Sequence, residues 1–317
     1  MRTEDFEFLA GMLKERSGLM LTPDKVYLLE SRLTPLARKR GLDTLDALVQ
    51  KLRMSREESL IRDVTEAMTT NESFFFRDNT PFDLFKNHVL PAMEKNRGST
   101  KRLRIWCAAA STGQEPYSLA ILLRENWMKW QGWNIEIVGT DICTQVLEKA
   151  KAGTYSQFEV QRGLPIQMLI KYFKQEGDMW RISDDIRRMV TFKPFNLLSN
   201  FIGMGTYDVI YCRNVLIYFD QQTKKDVLER MRKCMASDAT LFLGAAETVL
   251  GITDAFRPVR GQRGMYVPLT ARQNKRWGSA RGSTVSHGKG GPSGRLFCFS
   301  GAAPHLPQSH NSRLCRR

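Results

Sequence analysis

Histidine is scarce in this sequence, and its cysteines lie far apart. The 317 residues include six cysteines and four histidines, with no CxxC pair and three of the histidines beyond residue 286. Disulfide frameworks and zinc sites need paired or closely spaced ligands, so neither is supported and no metal site is predicted. Cys107 and Cys212 fall within apolar runs, where a cysteine is usually a small buried hydrophobic residue and not a nucleophile.

Long hydrophobic runs are also missing. The N-terminal stretch MRTEDFEFLAGMLKER contains acids from residue 4 onward and no apolar run of signal-peptide length. No later segment approaches the roughly 18 apolar residues of a membrane span. We therefore expect a cytoplasmic protein without membrane insertion. With 42% hydrophobic residues, the chain is long enough to bury a sizeable core.

Acidic residues are absent from the last 47 positions. Nine of the fifteen net positive charges lie in residues 271–317, so residues 1–270 carry a net charge of only +6. This Gly/Ser/Arg-rich composition predicts a disordered basic tail over 269–317. A natural accessory tail and an altered reading frame both stay open. Because most of the excess charge lies there, the basic total is weak support for nucleic-acid binding.

The first seventy residues have apolar positions at helical spacing. Leu9 and Leu13 form one such set, and similar sets recur around residues 29–36 and 45–52, which predicts a small helical domain over residues 1–70. Its second helix would end in a positive patch formed by Arg32, Arg38, Lys39 and Arg40. An ordinary solvated helix face is the alternative interpretation of that patch.

From residue 102 onward, apolar strand-like runs alternate with helical patterns. This order predicts an α/β domain over 71–268 with a Rossmann-like parallel sheet. A segment of about 154–188 is too long for a plain connection and predicts a small inserted β-subdomain. Glycines between two short runs near the end of the domain predict an antiparallel hairpin. The predicted sheet strands are 103–110, 135–142, 189–198, 207–214 and 240–246, with the hairpin over 256–269.

The turn after the first strand indicates a nucleoside ligand. Gly113 allows close backbone approach, and Asp141, at the tip of the second strand, could accept hydrogen bonds from ribose hydroxyls. No G-x-G-x-x-G motif is present, and Glu115 would repel a pyrophosphate at the helix N-terminus. A cationic, phosphate-free ligand such as S-adenosylmethionine therefore fits better than NAD, although the same sheet geometry serves both.

Five motifs in this order resemble the chemotaxis receptor methyltransferase family, CheR. They are TTNESFFFRD (69–78), RIWCAAASTGQEPYSLAI (104–121), GTDI (139–142), FNLL (195–198) and CRNVLIYFD (212–220). The likeness covers about residues 1–268. It implies a Rossmann-like S-adenosylmethionine-dependent methyltransferase that converts receptor glutamates to methyl esters and releases S-adenosylhomocysteine.

The resemblance also implies site residues. Arg77 and Tyr218 match residues that position the substrate glutamate. Ser73 replaces a commoner threonine, and Gln114 replaces an acid, so the effect of Gln114 on affinity is open. The residues matching the family's cofactor contacts are Asn71, Ser73, Arg77, Glu115, Asp141, Asn196, Leu197, Arg213 and Asn214.

Each match has a structural alternative. Asn71 and Ser73 could cap a helix, as could Asp141, and Arg213 could pair with any carboxylate. Arg77 could be a surface arginine on an aromatic cluster, and Tyr218 a partly buried aromatic residue. Their joint occurrence in register with one family favours the functional interpretation.

The resemblance implies chemotaxis receptors as partners, whose helices would meet the patch of Arg32, Arg38, Lys39 and Arg40. We expect the enzyme to be a monomer. The segment 171–185 lacks the glycine-rich loop associated with tethering of a receptor C-terminal peptide, so we expect weak tethering or none. A nucleic-acid methyltransferase and a non-catalytic S-adenosylmethionine-binding regulator are the alternative functions. Against the first, no Asn-Pro-Pro-Tyr or Pro-Cys motif is present.

Overall fold

The computed structural model describes residues 1–55 and 57–269. The tail expected over 269–317 therefore lies outside the described residues from residue 270 onward. The described residues belong to one compact unit. Within these ranges, no helix has both the length and the hydropathy that a membrane crossing requires.

Four helices form the N-terminal part, one more than the three apolar sets indicate. Leu9, Leu29 and Leu33 are fully buried in their shared core. Gly18 ends α1 in the left-handed conformation with φ +78°, and a Cβ there would lie 2.8 Å from the Phe219 ring. The four helices are α1 (Thr3–Ser17), α2 (Val26–Lys39), α3 (Leu45–Ser55) and α4 (Glu58–Met68).

The expected parallel sheet and the C-terminal hairpin are both confirmed. The sheet has seven strands in the order β6-β2-β1-β7-β8-β10-β9, and the five from β6 to β8 run parallel. β10 pairs antiparallel with both β8 and β9. The strands are β1 (Arg102–Ala108), β2 (Asn134–Asp141), β6 (Val190–Pro194), β7 (Tyr207–Cys212), β8 (Met235–Leu243), β9 (Phe256–Pro258) and β10 (Met265–Pro268).

Helices pack on both faces of this sheet, so its central strands are buried. The α7 helix follows Gly113, whose φ of +94° reverses the chain after β1. The remaining sheet-associated helices are α5 (Thr80–Leu84), α6 (Leu90–Arg97), α7 (Gln114–Glu125), α8 (Thr144–Ala152) and α12 (Gln221–Lys233), with a π-helical turn at Phe85–Val89 and a 3-10 turn at Trp127–Trp130.

The inserted segment forms a small antiparallel sheet in the order β3-β5-β4, as expected. A capping box, in which Ser156 and Glu159 bond each other's backbone N–H, starts its first helix. Its elements are β3 (Thr154–Ser156), α9 (Gln157–Gln161), α10 (Ile166–Tyr172), β4 (Phe173–Glu176), β5 (Met179–Ile182) and α11 (Asp184–Arg187).

Candidate cofactor and active site

One cavity lies at the carboxyl ends of the parallel strands, where loops of several elements meet. The structure brings all ten residues expected to bind cofactor or act in catalysis into its lining. They are Asn71, Ser73, Arg77, Glu115, Asp141, Asn196, Leu197, Arg213, Asn214 and Tyr218.

Asp141 ends β2 and orients the turn beside it. Its Oδ2 accepts a hydrogen bond from Ser111 N at 2.9 Å, and its Oδ1 accepts one from Cys143 N at 3.0 Å. Burial raises the pKa of this carboxyl, and the backbone donors oppose that rise. Each carboxylate oxygen can accept a second hydrogen bond, so Asp141 both supports the α8 start and can receive ribose hydroxyls.

Glu115, in the first turn of α7, is paired inside the protein. Its Oε2 accepts from Arg213 Nη1 at 2.8 Å, while Arg213 Nη2 donates to Asp78 Oδ2 at 2.7 Å and to the Arg77 carbonyl at 2.9 Å. Burial raises the pKa of the Glu115 carboxyl, and the adjacent guanidinium opposes the rise. The Arg213 side chain is only 1% exposed, and it joins the first turn of α7 to the segment that carries Arg77.

Asn71 and Ser73 lie in an irregular segment before α5, which removes the helix-cap alternative for both residues. No helix begins there, because α5 starts only at Thr80. The carbonyl of Asn71 accepts from Ser111 Oγ at 2.7 Å, which fixes the segment against the turn after β1. Arg77 donates to the carbonyl of Glu72 at 2.9 Å, and its side chain is partly exposed in the cavity lining.

The N-terminal helices supply one wall of the cavity, which sequence reasoning missed. Asn196 Nδ2 donates to the Arg16 carbonyl at 2.7 Å, and Met20 N donates to the Tyr218 carbonyl at 2.9 Å. These bonds hold the α1–α2 connection against the loops after β6 and β7. The additional lining residues from this part are Ser17, Leu19, Thr65, Met68, Thr69 and Thr70.

Glu247, also missed, holds the turn that carries Asn214 and Tyr218. Glu247 follows β8 and is only 8% exposed, and its carboxylate accepts hydrogen bonds from four backbone N–H groups. Asn214 has φ +59°, so its turn is held in an uncommon conformation. An acid directly after an apolar strand was the available sequence signal. The donors are Gly244 (2.7 Å) and Asn214 (2.8 Å) to Oε2, and Val215 (2.9 Å) and Ile217 (3.3 Å) to Oε1.

The positive patch expected on α2 is narrower than its four residues suggest. Arg32 donates hydrogen bonds to the carbonyls of Met68 and Thr69 at 2.8 and 3.0 Å, so its guanidinium is bound to the C-terminal end of α4. Arg40 Nε donates to an Asp63 oxygen at 2.8 Å.

Two members of the patch remain available. Arg38 and Lys39 are exposed and form no ion pair with residues in the described ranges. Any receptor contact by this patch would therefore rest mainly on these two side chains.

Within the described part of the chain, the cysteines and possible metal ligands give no second candidate site. Cys107 and Cys212 are fully buried as expected, and burial raises the pKa of both thiols well above the ordinary value. Among residues 1–55 and 57–269, no three His, Cys, Asp or Glu side chains are placed to hold a metal ion.

Comparison with known families agrees with this geometry over nearly the whole described chain. Residues 71–265 match the family model "CheR methyltransferase, SAM binding domain", and residues 4–69 match "CheR methyltransferase, all-alpha domain". The chain belongs to the CheR methyltransferase family. The expected family membership, fold and S-adenosylmethionine cofactor are thereby confirmed.

Curated CheR relatives match across most of their own length. "Chemotaxis protein methyltransferase Cher2" of Pseudomonas putida is 38% identical over 265 residues, covering 82% of this chain and 96% of that protein. "Chemotaxis protein methyltransferase 1" of Pseudomonas aeruginosa is 39% identical over the same coverage. Solved structures that match include PKMT2 from Rickettsia typhi in complex with AdoHcy, at 16% identity and a TM-score of 0.30, covering 45% of this chain and 21% of that one. A similarity this limited adds nothing to the assignment.

The lining of this CheR cavity contains hydrogen-bond acceptors and apolar side chains that could hold S-adenosylmethionine. The buried carboxylates of Asp141 and Glu115 provide acceptors for ribose hydroxyls and for an ammonium group. Leu197, Met68 and Phe195 are apolar residues of the lining that could contact a purine ring. Glu115 keeps acceptor capacity beyond its bond from Arg213, because a carboxylate has about four acceptor sites.

Proposed function

We propose that this CheR protein methylates glutamate side-chain carboxylates on the cytoplasmic helices of chemotaxis receptors, giving glutamate methyl esters that tune adaptation. The relatives named as chemotaxis protein methyltransferases support the pathway. The observation that carries the carboxylate assignment is that Arg77 and Tyr218 line the same cavity as Glu115 and Asp141. A guanidinium and a phenol suit an anionic acceptor beside the cofactor site.

The chemistry requires orientation more than proton transfer. A glutamate carboxylate, with a reference pKa of about 4.3, is already ionised at neutral pH, so no general base is needed. Bound S-adenosylmethionine supplies an electrophilic methyl group. Arg77 would orient the substrate carboxylate, and Tyr218 would donate a hydrogen bond to it or confine its approach. Correct orientation can contribute roughly 7–11 kcal/mol to lowering such a barrier.

The division of labour along the chain follows from the same proposal. Residues 1–70 would recognise the receptor, with Arg38 and Lys39 as the available cations, and residues 71–268 would bind cofactor and catalyse transfer. Opposite charge at such a surface speeds encounter more than it adds affinity. We propose a cytoplasmic monomer that acts on protein and not on nucleic acid.

The decisive assay uses cofactor labelled in its methyl group. The protein is incubated with receptor-containing membranes and with matched membranes whose receptor glutamates are changed to glutamine. We expect label only on the glutamate receptor, and we expect mild alkali to release it as methanol because carboxyl esters hydrolyse readily.

Two other outcomes would contradict the proposal. Label that enters RNA or DNA but not receptor membranes would identify a nucleic-acid methyltransferase. Cofactor binding without transfer to any receptor would identify a non-catalytic regulator.

A further inference from the structure

A second arginine lies beside Arg77 and contacts Glu72, a residue of the active-site cavity lining. Arg162 follows α9 in the inserted segment, and its Cζ is 4.3 Å from the centroid of the Phe74 ring. The Cζ of Arg77 is 5.4 Å from the same centroid. The two guanidinium carbons are therefore within about 10 Å of each other.

Glu72 contacts both arginines. Its Oε1 accepts from Arg162 Nη2 at 2.6 Å, and its carbonyl oxygen accepts from Arg77 Nη1 at 2.9 Å. Glu72 itself lines the cavity. Arg162 is thus paired with the Glu72 carboxylate, whereas Arg77 contacts a backbone carbonyl, so the cluster holds two positive charges and one negative charge that attract acidic side chains.

The backbone fixes Arg162 in this place. Gly163 has φ +82°, and a Cβ on it would lie 2.1 Å from the Phe75 carbonyl oxygen, so the loop after α9 lies directly on the segment that carries Phe74. The Phe75 ring packs edge-to-face on Tyr155 and Phe173 of the inserted segment, with centroids 5.0 and 5.4 Å apart. Arg162 is thereby held near Arg77 by packing, and not only by a flexible side chain.

The pair with Glu72 is exposed enough to exchange. The side chains of Arg162 and Glu72 are 42% and 56% exposed. Exposed ion pairs contribute little net stability, because solvent competes with both charges. A guanidinium also has five N–H donors, so it can take a second carboxylate while keeping its contact with the ring.

We propose that Arg162 is a substrate-binding residue that takes an acidic side chain close to the methylated glutamate on the receptor helix. This proposal rests on the proposed function and deepens it. Side chains three or four positions apart on a helix are about 5–6 Å apart at Cβ, which is within the span of the two guanidinium groups. The inserted segment therefore selects substrates in which an acid accompanies the target glutamate, with Glu72 occupying Arg162 when no substrate is bound.

The test compares Arg162→Gln with Glu72→Gln. Glutamine keeps part of the arginine stem but removes its charge, so we expect the KM for receptor membranes to rise roughly fivefold, with kcat and the Kd for S-adenosylhomocysteine unchanged. The rise should shrink at high salt. Glu72→Gln should leave KM unchanged or lower it, since it removes the competing carboxylate.

Lys171→Gln is the matched control. Lys171 also lies in the inserted segment and pairs with Glu125 at 2.7 Å, and its side chain is 60% exposed. Lys171→Gln also removes one positive charge from the inserted segment, but at a residue that does not contact the cluster, so the KM for receptor membranes should not change.

The outcomes separate this proposal from the proposed function. Equal increases in KM for Arg162→Gln and Glu72→Gln would mean that the pair is merely structural, and an unchanged KM for Arg162→Gln would also overturn the assignment. In both cases wild-type methylation stands. A wild-type protein that forms no alkali-labile ester would refute the proposed function, and the role of Arg162 with it.

Discussion

The carboxylate of Glu247 joins two loops of the active site, and its replacement by glutamine tests that connection. Each of its oxygens accepts two backbone N–H groups, and three of the four donors belong to residues 214–217. The amide of Glu247→Gln can keep one pair of these bonds. Its NH₂ group would face the other pair of donors, which then lose their acceptor.

The cost follows from the number of bonds lost. Leaving a buried donor unsatisfied costs about 1–3 kcal/mol, so two such donors should destabilise the protein by about 2–4 kcal/mol after partial relaxation. Part of this loss should be local, because the turn carries Asn214 and Tyr218 into the cavity. If about 1.4 kcal/mol is spent on reforming the turn when cofactor binds, the Kd for S-adenosylhomocysteine rises about tenfold.

Urea unfolding and isothermal titration calorimetry measure the two effects separately. Glu148→Gln is the control, since the Glu148 side chain is 71% exposed and forms an ion pair with Lys151. It should change stability by less than about 0.5 kcal/mol. If Glu247→Gln matched this control in both stability and affinity, the four-bond contact would not organise the site.

Three further changes test other parts of the structure. Tyr218→Phe should lower kcat by about tenfold or more while the Kd for S-adenosylhomocysteine stays within about twofold, because one hydrogen bond to a charged group is lost; unchanged turnover would remove this phenol from the mechanism. Gly163→Ala should lower the free energy of unfolding in urea by about 2 kcal/mol or more, because φ is positive at Gly163 and a carbonyl oxygen lies close to it. Gly177→Ala is the control and should lower it less, because Gly177 has φ +61° but open space around it. Equal losses of stability would contradict the close approach of the carbonyl at Gly163. Asp220 caps α12, and the paired Lys14 ammonium holds the pKa of its carboxyl below the usual range. Its stabilisation is present above the unfolded pKa of about 3.9 and lost as pH falls through the folded pKa, so Asp220→Ala should cost about 1 kcal/mol at pH 7 and the difference from wild type should narrow in acid.

The sequence located the sheet because buried parallel strands form short apolar runs that end at one edge. Asp141 could be found for this reason, since it ends one such run, whereas Arg213, which directly follows β7, was indicated by the family resemblance. Strand ends were less predictable. The run 189–198 continues past Pro194, but Asn196 Oδ1 accepts from Leu198 N at 2.9 Å and turns the chain after β6.

The missed contacts are tertiary and leave no signal in the sequence pattern. Helix α4 has buried apolar residues at helical spacing, so its periodicity was available, but the pattern does not indicate that Thr65 and Glu66 are buried beside them. Glu66 accepts from Thr144 N and Oγ1 at 3.0 and 2.8 Å, which places an acid of the helical part at the start of α8. The position of Arg162 beside Arg77 likewise depends on contacts with Glu72 and Phe74, which lie 90 and 88 residues earlier in the chain.

Arg32 shows how such contacts join the two parts of this CheR protein. Its charge suggested a receptor-facing cation, yet its guanidinium binds the last carbonyls of α4, where a cation is favoured by the helix dipole. Met68 and Thr69, whose carbonyls it holds, line the cofactor cavity. The helical part is therefore both a neighbour of the active site and a component of its wall, so a receptor helix that docks on the exposed end of α2 would contact an element whose other face supports the cofactor site.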